Sequence, residues 1–161
     1  MYKRQELFAY PFGAHDYNYT NIVASQDFKG TFGQQSGVAF FSEETPTTLP
    51  RFNMTEEYGD LDRFALVANA LPFPVTEVTT ALNKSIGFTL PEELAAHKDK
   101  LSCFASGQAK PQISVLSDTR VTLHLREKTN QQRLRVNCTL PVSNLDSDDI
   151  RFRWLGFLFT N

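Results

Sequence analysis

Two patterns of hydrophobic and polar positions divide the chain near residue 76. Before it, short apolar stretches at 6–10, 29–33 and 49–52 run into turns, and a polar segment of helix length separates the first two. This order of strand, connection and strand is typical of a parallel sheet or barrel with helices packed on it. In such folds ligands bind at the carboxyl ends of strands, where these turns lie.

Two segments of the first part carry helix signals. Residues 16–26 predict a short helix that Asn18 or Thr20 can cap. Asp60 is a favourable N-cap residue, and the apolar residues after it recur at helical spacing: Leu61, Phe64, Val67, Ala68 and Leu71. This spacing predicts an amphipathic helix with one buried stripe. Prolines at 72 and 74 end that helix, so we expect a domain boundary close behind them, with one domain at 6–76 and a second at 77–161.

Beyond the boundary the hydrophobic period changes to two. Strands are predicted at 86–90, 101–105, 112–116, 121–125, 134–138 and 150–154. In the last of them Ile150, Phe152 and Trp154 are predicted to be buried, and Arg151 and Arg153 to face solvent. Short strands at this spacing favour a small antiparallel β-sandwich. The predicted fold class is therefore an α/β part followed by an all-β part.

Composition narrows the range of functions. The 161 residues are 41% hydrophobic and 21% charged, which predicts a packed core rather than disorder. A formal net charge of -2 without a long basic run gives nucleic-acid binding little support. No apolar run approaches the roughly 18 to 20 residues of a membrane span, so we expect no transmembrane segment.

The first five residues, Met-Tyr-Lys-Arg-Gln, look like the translation of a common sequencing-library adapter. In that case residues 1–5 are not biological, the gene begins upstream, and the absence of a signal peptide carries little weight. The alternative is an ordinary basic N-terminus.

Cys103 and Cys138 are the two cysteines of the chain, and each falls on the apolar side of its predicted strand. A disulfide across the sandwich would close a loop of about 35 residues and stabilise the fold by roughly 2 to 4 kcal/mol. It would also indicate an oxidising compartment. The alternative is two buried free thiols that pack as small hydrophobes.

Histidine spacing offers no complete metal site. His15, His97 and His124 lie far apart, and none has a metal-ligand neighbour at useful spacing. His15 follows a turn from which it can reach a cleft, although a surface position explains it as well. The chain carries no nucleophile elbow, P-loop or dinucleotide fingerprint.

Six segments in this order resemble polysaccharide deacetylases, the carbohydrate-esterase type with NodB homology. They lie at 8–13 (Phe-Ala-Tyr-Pro-Phe-Gly), 32–38, 49–54, 101–108, 135–141 and 151–156. The resemblance covers nearly all of residues 6–161. It implies that 6–76 are the C-terminal portion of a distorted parallel β/α barrel and that an appended β domain, with the Cys103–Cys138 pair, follows.

The same resemblance implies a chemistry. In the family an Asp and two His hold a divalent metal, often zinc, and metal-bound water attacks the N-acetyl carbonyl of an amino sugar while a second Asp acts as base. These ligands come from a paired Asp and a His-x-x-x-His motif near the start of the domain, and neither motif opens this sequence. We therefore expect the metal in the full-length protein, no metal in this chain, and no activity from this chain alone.

Individual residues acquire roles by the resemblance. The backbone N–H of Phe12 would point at the acetyl oxygen, and Tyr10, Pro11 and Phe12 would lie against the sugar. Plain core packing accounts equally well for the two aromatic side chains. Many family members have Arg where Ala9 stands and end with a Leu-x-His motif that is absent here. Arg51 can replace the missing cation in the cleft, or it can form a surface salt bridge.

Two other functions remain open at this stage. The chain can be a glycan-binding cell-envelope module, with Arg133, Arg135, Arg151 and Arg153 forming a cationic patch for an acidic polymer; an ordinary solvated sheet face is the simpler interpretation of these arginines. It can also belong to an amide hydrolase acting on small cyclic ureides. The cysteine pair favours a periplasmic or extracellular location, which fits a polysaccharide substrate better.

Overall fold

A computed structural model describes residues 5–14, 17–40, 48–81, 85–125, 133–143 and 150–160. Within these ranges the helices are α1 (Tyr17–Ala24), α2 (Leu61–Ala68) and α3 (Glu92–Ala95). The strands are β1 (Leu7–Ala9), β2 (Gly30–Phe32), β3 (Leu71–Pro72), β4 (Thr76–Ala81), β5 (Ser85–Thr89), β6 (Ser102–Ala105), β7 (Gln112–Val115), β8 (Arg120–His124), β9 (Arg133–Ser143) and β10 (Ile150–Thr160).

These strands form three sheets. The small sheet pairs β1 with β2 in parallel. The front sheet has the strand order β3-β10-β9-β6, in which only the β3–β10 pairing is parallel. The back sheet has the order β4-β5-β8-β7 and is entirely antiparallel.

The prediction of a parallel β/α barrel is wrong. The protein is mostly β, with 41% strand against 20% helix, and its larger sheets are antiparallel or mixed. Among the described residues, parallel pairing is limited to β1 with β2, one bridge from Phe32 to Leu49, and β3 with β10. A barrel needs each strand to be followed by a helix that returns the chain to the next parallel strand. After β2 the chain instead runs to the front sheet, where residues 36 and 37 lie against β10.

The front and back sheets share one hydrophobic core, the arrangement of a β-sandwich. The core is built from alternate residues of the strands, including Ile86 and Phe88 of β5, Val121 and Leu123 of β8, and Leu134, Val136, Cys138 and Leu140 of β9. All of these side chains are at most 2% exposed. The period-two pattern of the second half therefore predicted these strands and their buried faces correctly.

β10 is the exception, because its predicted buried face was wrong. Residues opposite each other in an antiparallel pair share a face, and Leu155 and Phe157 stand opposite the buried Cys138 and Val136. Phe152 and Trp154 therefore lie on the outer face. β10 is apolar on both faces because the sandwich core packs on one and the segment after the small sheet packs on the other.

The four arginines proposed as one cationic patch are divided by this register. Arg153 stands opposite the buried Leu140 and donates from its guanidinium to the carbonyl of Pro72 at 2.7 Å. Arg151 donates to the carbonyl of Asn69 at 2.9 Å. These two side chains hold the end of α2 and β3, whereas Arg133 and Arg135 alternate with buried residues and lie on the outer face.

The helices follow the sequence prediction only in part. Asp60 caps α2, accepting a hydrogen bond from the amide of Arg63 at 2.8 Å. The predicted buried stripe is largely wrong, since Val67 is buried while Leu61 and Phe64 are 82% and 55% exposed. In α1 the suggested caps Asn18 and Thr20 lie inside the helix.

Candidate functional site

The site is built where β1, β2 and the Leu49 bridge end on the same side of the small sheet. β1 runs into a 3-10 turn at Pro11–Gly13, which the amides of Gly13 and Ala14 close by donating to the carbonyls of Tyr10 and Pro11. Gly13 has φ +70°, and a Cβ placed on it would lie 2.7 Å from the Cβ of Gln34. Glycine is required here because both its conformation and its space exclude a side chain. The turn after β1 thus packs against the segment after β2.

Phe12 is held in an unusual conformation at the tip of this turn. Its φ is 56°, which is rare for an aromatic residue, and its side chain is 72% exposed. The hydrogen bonds that close the turn use the amides of its neighbours. Because most of the Phe12 side chain is exposed, its ring stands in solvent at the carboxyl end of β1. The guanidinium of Arg133 lies 5.5 Å from the ring centroid, a cation–π contact between residues far apart in the sequence.

Tyr10 and Pro11 have different surroundings. Tyr10 is 1% exposed and packs edge to face against the rings of Phe8 and Tyr19, with centroids 5.2 Å away in both cases. In this structure its side chain packs among these rings under the turn. Pro11 is exposed beside Phe12. Of the three residues expected against a sugar, Pro11 and Phe12 are on the surface.

Arg51 ties two strand ends together. Its Nε donates to the carbonyl of Gly33 at 2.8 Å, and its backbone amide donates to the carbonyl of Gln35 at 3.0 Å. Across the part of the chain that the structure describes, Arg51 forms no ion pair. Among the described residues, the half-buried side chain of Arg51 thus holds the strand end at Gly33, next to Gln34, against which Gly13 packs.

A cavity of about 700 Å³ lies on the other side of these segments, against the front sheet. Its walls include Gln35, Pro50, Phe73 and Trp154, and they are mainly apolar. Gln35 Oε1 and Trp154 Nε1 have no hydrogen-bond partner among the described residues, but each atom exposes less than 1 Å². A molecule in the cavity cannot reach either atom without a rearrangement, so the walls offer shape and apolar contact rather than polar recognition.

Cys103 and Cys138 form a disulfide. The two residues are direct partners in the β6–β9 pairing, with Cα atoms 4.1 Å apart, so the bridge joins neighbouring strands of the front sheet. The prediction of a bridge is confirmed, whereas the predicted position across the sandwich is wrong. Both cysteines are 0% exposed. The bridge fixes β6, an edge strand, to β9.

The residues around the strand ends do not fit a divalent metal. The side chains there are aromatic, amide and guanidinium groups, and no group of three or more His, Cys, Asp or Glu occurs among the residues that the structure describes. His97 and His124 are exposed and separate from this site. His15 lies outside the described residues.

Two contacts of the site have no local signal in the sequence. Arg133 reaches Phe12, and Trp154 packs edge to face on Phe52 with ring centroids 5.2 Å apart. In both cases the partners are separated by about a hundred residues or more. Only the arrangement of the small sheet on the front sheet brings them together.

A search of family models, curated proteins and solved structures found no protein or family that matches this chain. Among the described helices, none combines the length and the apolar character that crossing a membrane requires. The candidate site is therefore interpreted from its own residues and from the motif resemblance.

Proposed function

We propose that this chain is the C-terminal part of a metal-dependent polysaccharide N-deacetylase, which hydrolyses N-acetyl groups of amino-sugar polymers. The observation that carries the proposal is the Phe12 turn at the carboxyl end of a parallel strand: its ring is exposed, and the hydrogen bonds that close the turn come from the amides of Gly13 and Ala14 rather than that of Phe12. The sequence motifs on either side of this turn carry the resemblance to the family.

In this proposal the residues of the chain form one wall of the cleft. The Phe12 amide donates a hydrogen bond to the acetyl oxygen as negative charge develops on it, which is how fixed backbone dipoles stabilise an oxyanion. The exposed ring of Phe12 lies against the sugar. Arg51 contributes positive charge from the neighbouring strand end, and its bond to the carbonyl of Gly33 fixes its position.

The catalytic metal belongs to a different part of the protein in this proposal. The metal supplies Lewis-acid activation of water in the family, and the described residues here do not fit it. The proposal accordingly places the metal ligands upstream of Glu6, and it predicts that the 161-residue chain is inactive alone.

The coding sequence upstream of Glu6 tests the proposal. A hydrophobic strand followed by a paired Asp, and then a His-x-x-x-His motif, is expected in frame. An upstream reading frame without these motifs, or a stop codon directly before the chain, would contradict it.

A glycan-binding module without catalysis is the second candidate, because aromatic rings stand exposed beside cations on the surface of the sandwich. Phe12 and Phe104 are 72% and 59% exposed, and each has a cationic side chain over its ring. Binding of a neutral or charged glycan without acetate release from the complete protein would favour this candidate.

A further inference from the structure

The outer face of the front sheet carries two exposed aromatic rings, each covered by a cation. The guanidinium of Arg133 lies 5.5 Å from the centroid of Phe12, and the ammonium of Lys110 lies 5.6 Å from the centroid of Phe104. Arg135 lies between these two pairs, on the same side of β9 as Arg133. We call Phe12, Arg133, Arg135, Phe104 and Lys110 the aromatic–cationic strip.

Strand register places these residues in one row. Arg133 and Arg135 alternate with Leu134 and Val136, which are 2% and 0% exposed, so both arginines face outward. Phe104 stands opposite Asn137, which continues the outward series of β9. At about 3.3 Å per residue, the row from 133 to 137 spans roughly 13 Å before the two rings extend it.

The cations of the strip are not neutralised by described neighbours. Neither arginine nor Lys110 lies within ion-pair distance of an acidic group in the part of the chain that the structure describes. The whole chain has a formal net charge of -2, so this positive row is a local feature. The overall charge of the protein therefore does not attract a polyanion, and electrostatic attraction has to come from this row.

We infer that the strip binds the carboxylate groups of an acidic polysaccharide. The guanidinium fork matches the geometry of a carboxylate, and an exposed aromatic ring offers an apolar surface to the face of a sugar. The inference deepens the proposed function and rests on its polysaccharide substrate. Because Phe12 belongs to both features, the strip leads a bound chain directly to the strand-end site.

Binding measurements on the 161-residue chain test this inference. The probes are polygalacturonate, alginate and hyaluronate as carboxylated polymers, with fully methyl-esterified polygalacturonate as a neutral chain of the same sugar. We expect calorimetric binding of at least one carboxylated polymer, with weaker binding as sodium chloride is raised, and no binding of the ester. The double variant Arg133→Gln/Arg135→Gln is expected to lose affinity roughly tenfold, since exposed charge pairs contribute modestly.

Lys29→Gln is the control for a positive charge outside the strip, because Lys29 is exposed, pairs with Glu6 at 2.9 Å and lies at the opposite end of β2 from the Phe12 turn. It is expected to leave the affinity unchanged, whereas Phe104→Ala is expected to weaken binding several-fold. Binding of none of the carboxylated polymers, equal binding of the methyl ester, equal binding of single-stranded DNA, or an equal effect of Lys29→Gln would each overturn the inference. Acetate release from neutral N-acetylglucosamine oligomers does not depend on Arg133, Arg135, Phe104 or Lys110, because these oligomers carry no carboxylate, so failure here is distinguishable from failure of the proposed function.

Discussion

At position 13, the conformation and the available space both require glycine. Its φ of +70° lies in the left-handed region, and its α-carbon faces Gln34 so closely that a Cβ would meet the Gln34 backbone nitrogen at 2.9 Å. The Phe-Gly turn after an apolar strand was visible in the sequence, as was the capping role of Asp60. What the sequence did not show is that Phe12 itself takes a positive φ of 56°, since an aromatic residue rarely adopts one.

Gly13→Ala should destabilise the protein. The added methyl group has to displace Gln34 and to accept an unfavourable φ, so we expect the free energy of unfolding to fall by about 1–3 kcal/mol. Urea denaturation followed by circular dichroism measures this change.

Gly107→Ala is the control for that experiment, because Gly107 has a similar φ of +65° but lies on the surface. It should cost less than Gly13→Ala, and the difference isolates the contact with Gln34. Equal losses in the two variants would show that the turn is not held by the segment after β2.

Among the elements, β10 shows what a hydrophobic period can and cannot predict. Alternation identified the strand correctly, but apolar residues occupy both of its faces, and the pattern was assigned to the wrong one. The sequence does not show which face of β10 lies on the sandwich core, because the other face is covered as well. On that outer face the backbone of Ser36 lies against Gly156. In α2 the spacing correctly predicted a helix, but the predicted burial of Leu61 and Phe64 was wrong, because amphipathicity alone does not show whether another element covers an apolar stripe.

Gly156→Ala should loosen the docking of the residue 36 loop on β10. A Cβ at 156 would collide with the backbone of Ser36, which cannot yield as a flexible side-chain end can. Overpacking of this kind typically costs about 1–3 kcal/mol. The fluorescence of Trp154, the single tryptophan, should also shift, because the indole packs on Phe52 in the same contact.

Gly30→Ala is the comparison for this variant. A Cβ at 30 would meet only side-chain carbons, the nearest of them from Leu7 at 3.3 Å. We expect little change in stability or in fluorescence. A Gly156→Ala variant that behaves like Gly30→Ala would contradict the close approach of these two segments.

The disulfide between β6 and β9 should contribute measurably to stability. It closes a loop of 35 residues, for which chain-entropy arguments give roughly 2 to 4 kcal/mol. A denaturant titration of the native protein with a thiol reductant should therefore show a lower unfolding midpoint than the same titration without it. The double variant Cys103→Ala/Cys138→Ala should be less stable, and its unfolding midpoint should not change with the reductant. If a thiol reagent labels the cysteines of the original chain after unfolding without reductant, the bridge is contradicted.

For the whole molecule, the sequence predicted the β-sandwich well and the first part poorly. Hydrophobic residues at every second position indicate a strand with one buried face and one solvent-exposed face. The core residues of β5, β8 and β9 could therefore be predicted from this alternation. β4 was missed because its residues are exposed throughout and carry no such alternation. The barrel was predicted from a few short strand-like segments and from the family resemblance. Neither of them specifies which strands pair with each other.

The turns at the strand ends converge as the sequence predicted: Gly13 packs against Gln34, and Arg51 bonds to the carbonyl of Gly33. The contacts that complete the site connect Phe12 with Arg133 and Phe52 with Trp154, and such long-range pairs leave no local pattern. Substrate contact and core packing were predicted for Tyr10 with equal weight, and in this structure its ring is buried against Phe8 and Tyr19.

Acetate release from N-acetylglucosamine oligomers is the most direct test of the proposed deacetylase. The product of the complete coding sequence, supplied with zinc, should release acetate, and a chelator should abolish the release. The 161-residue chain with the same zinc should release none, because its described residues offer no metal site. Turnover by the 161-residue chain alone, or none by the complete product, would contradict the account.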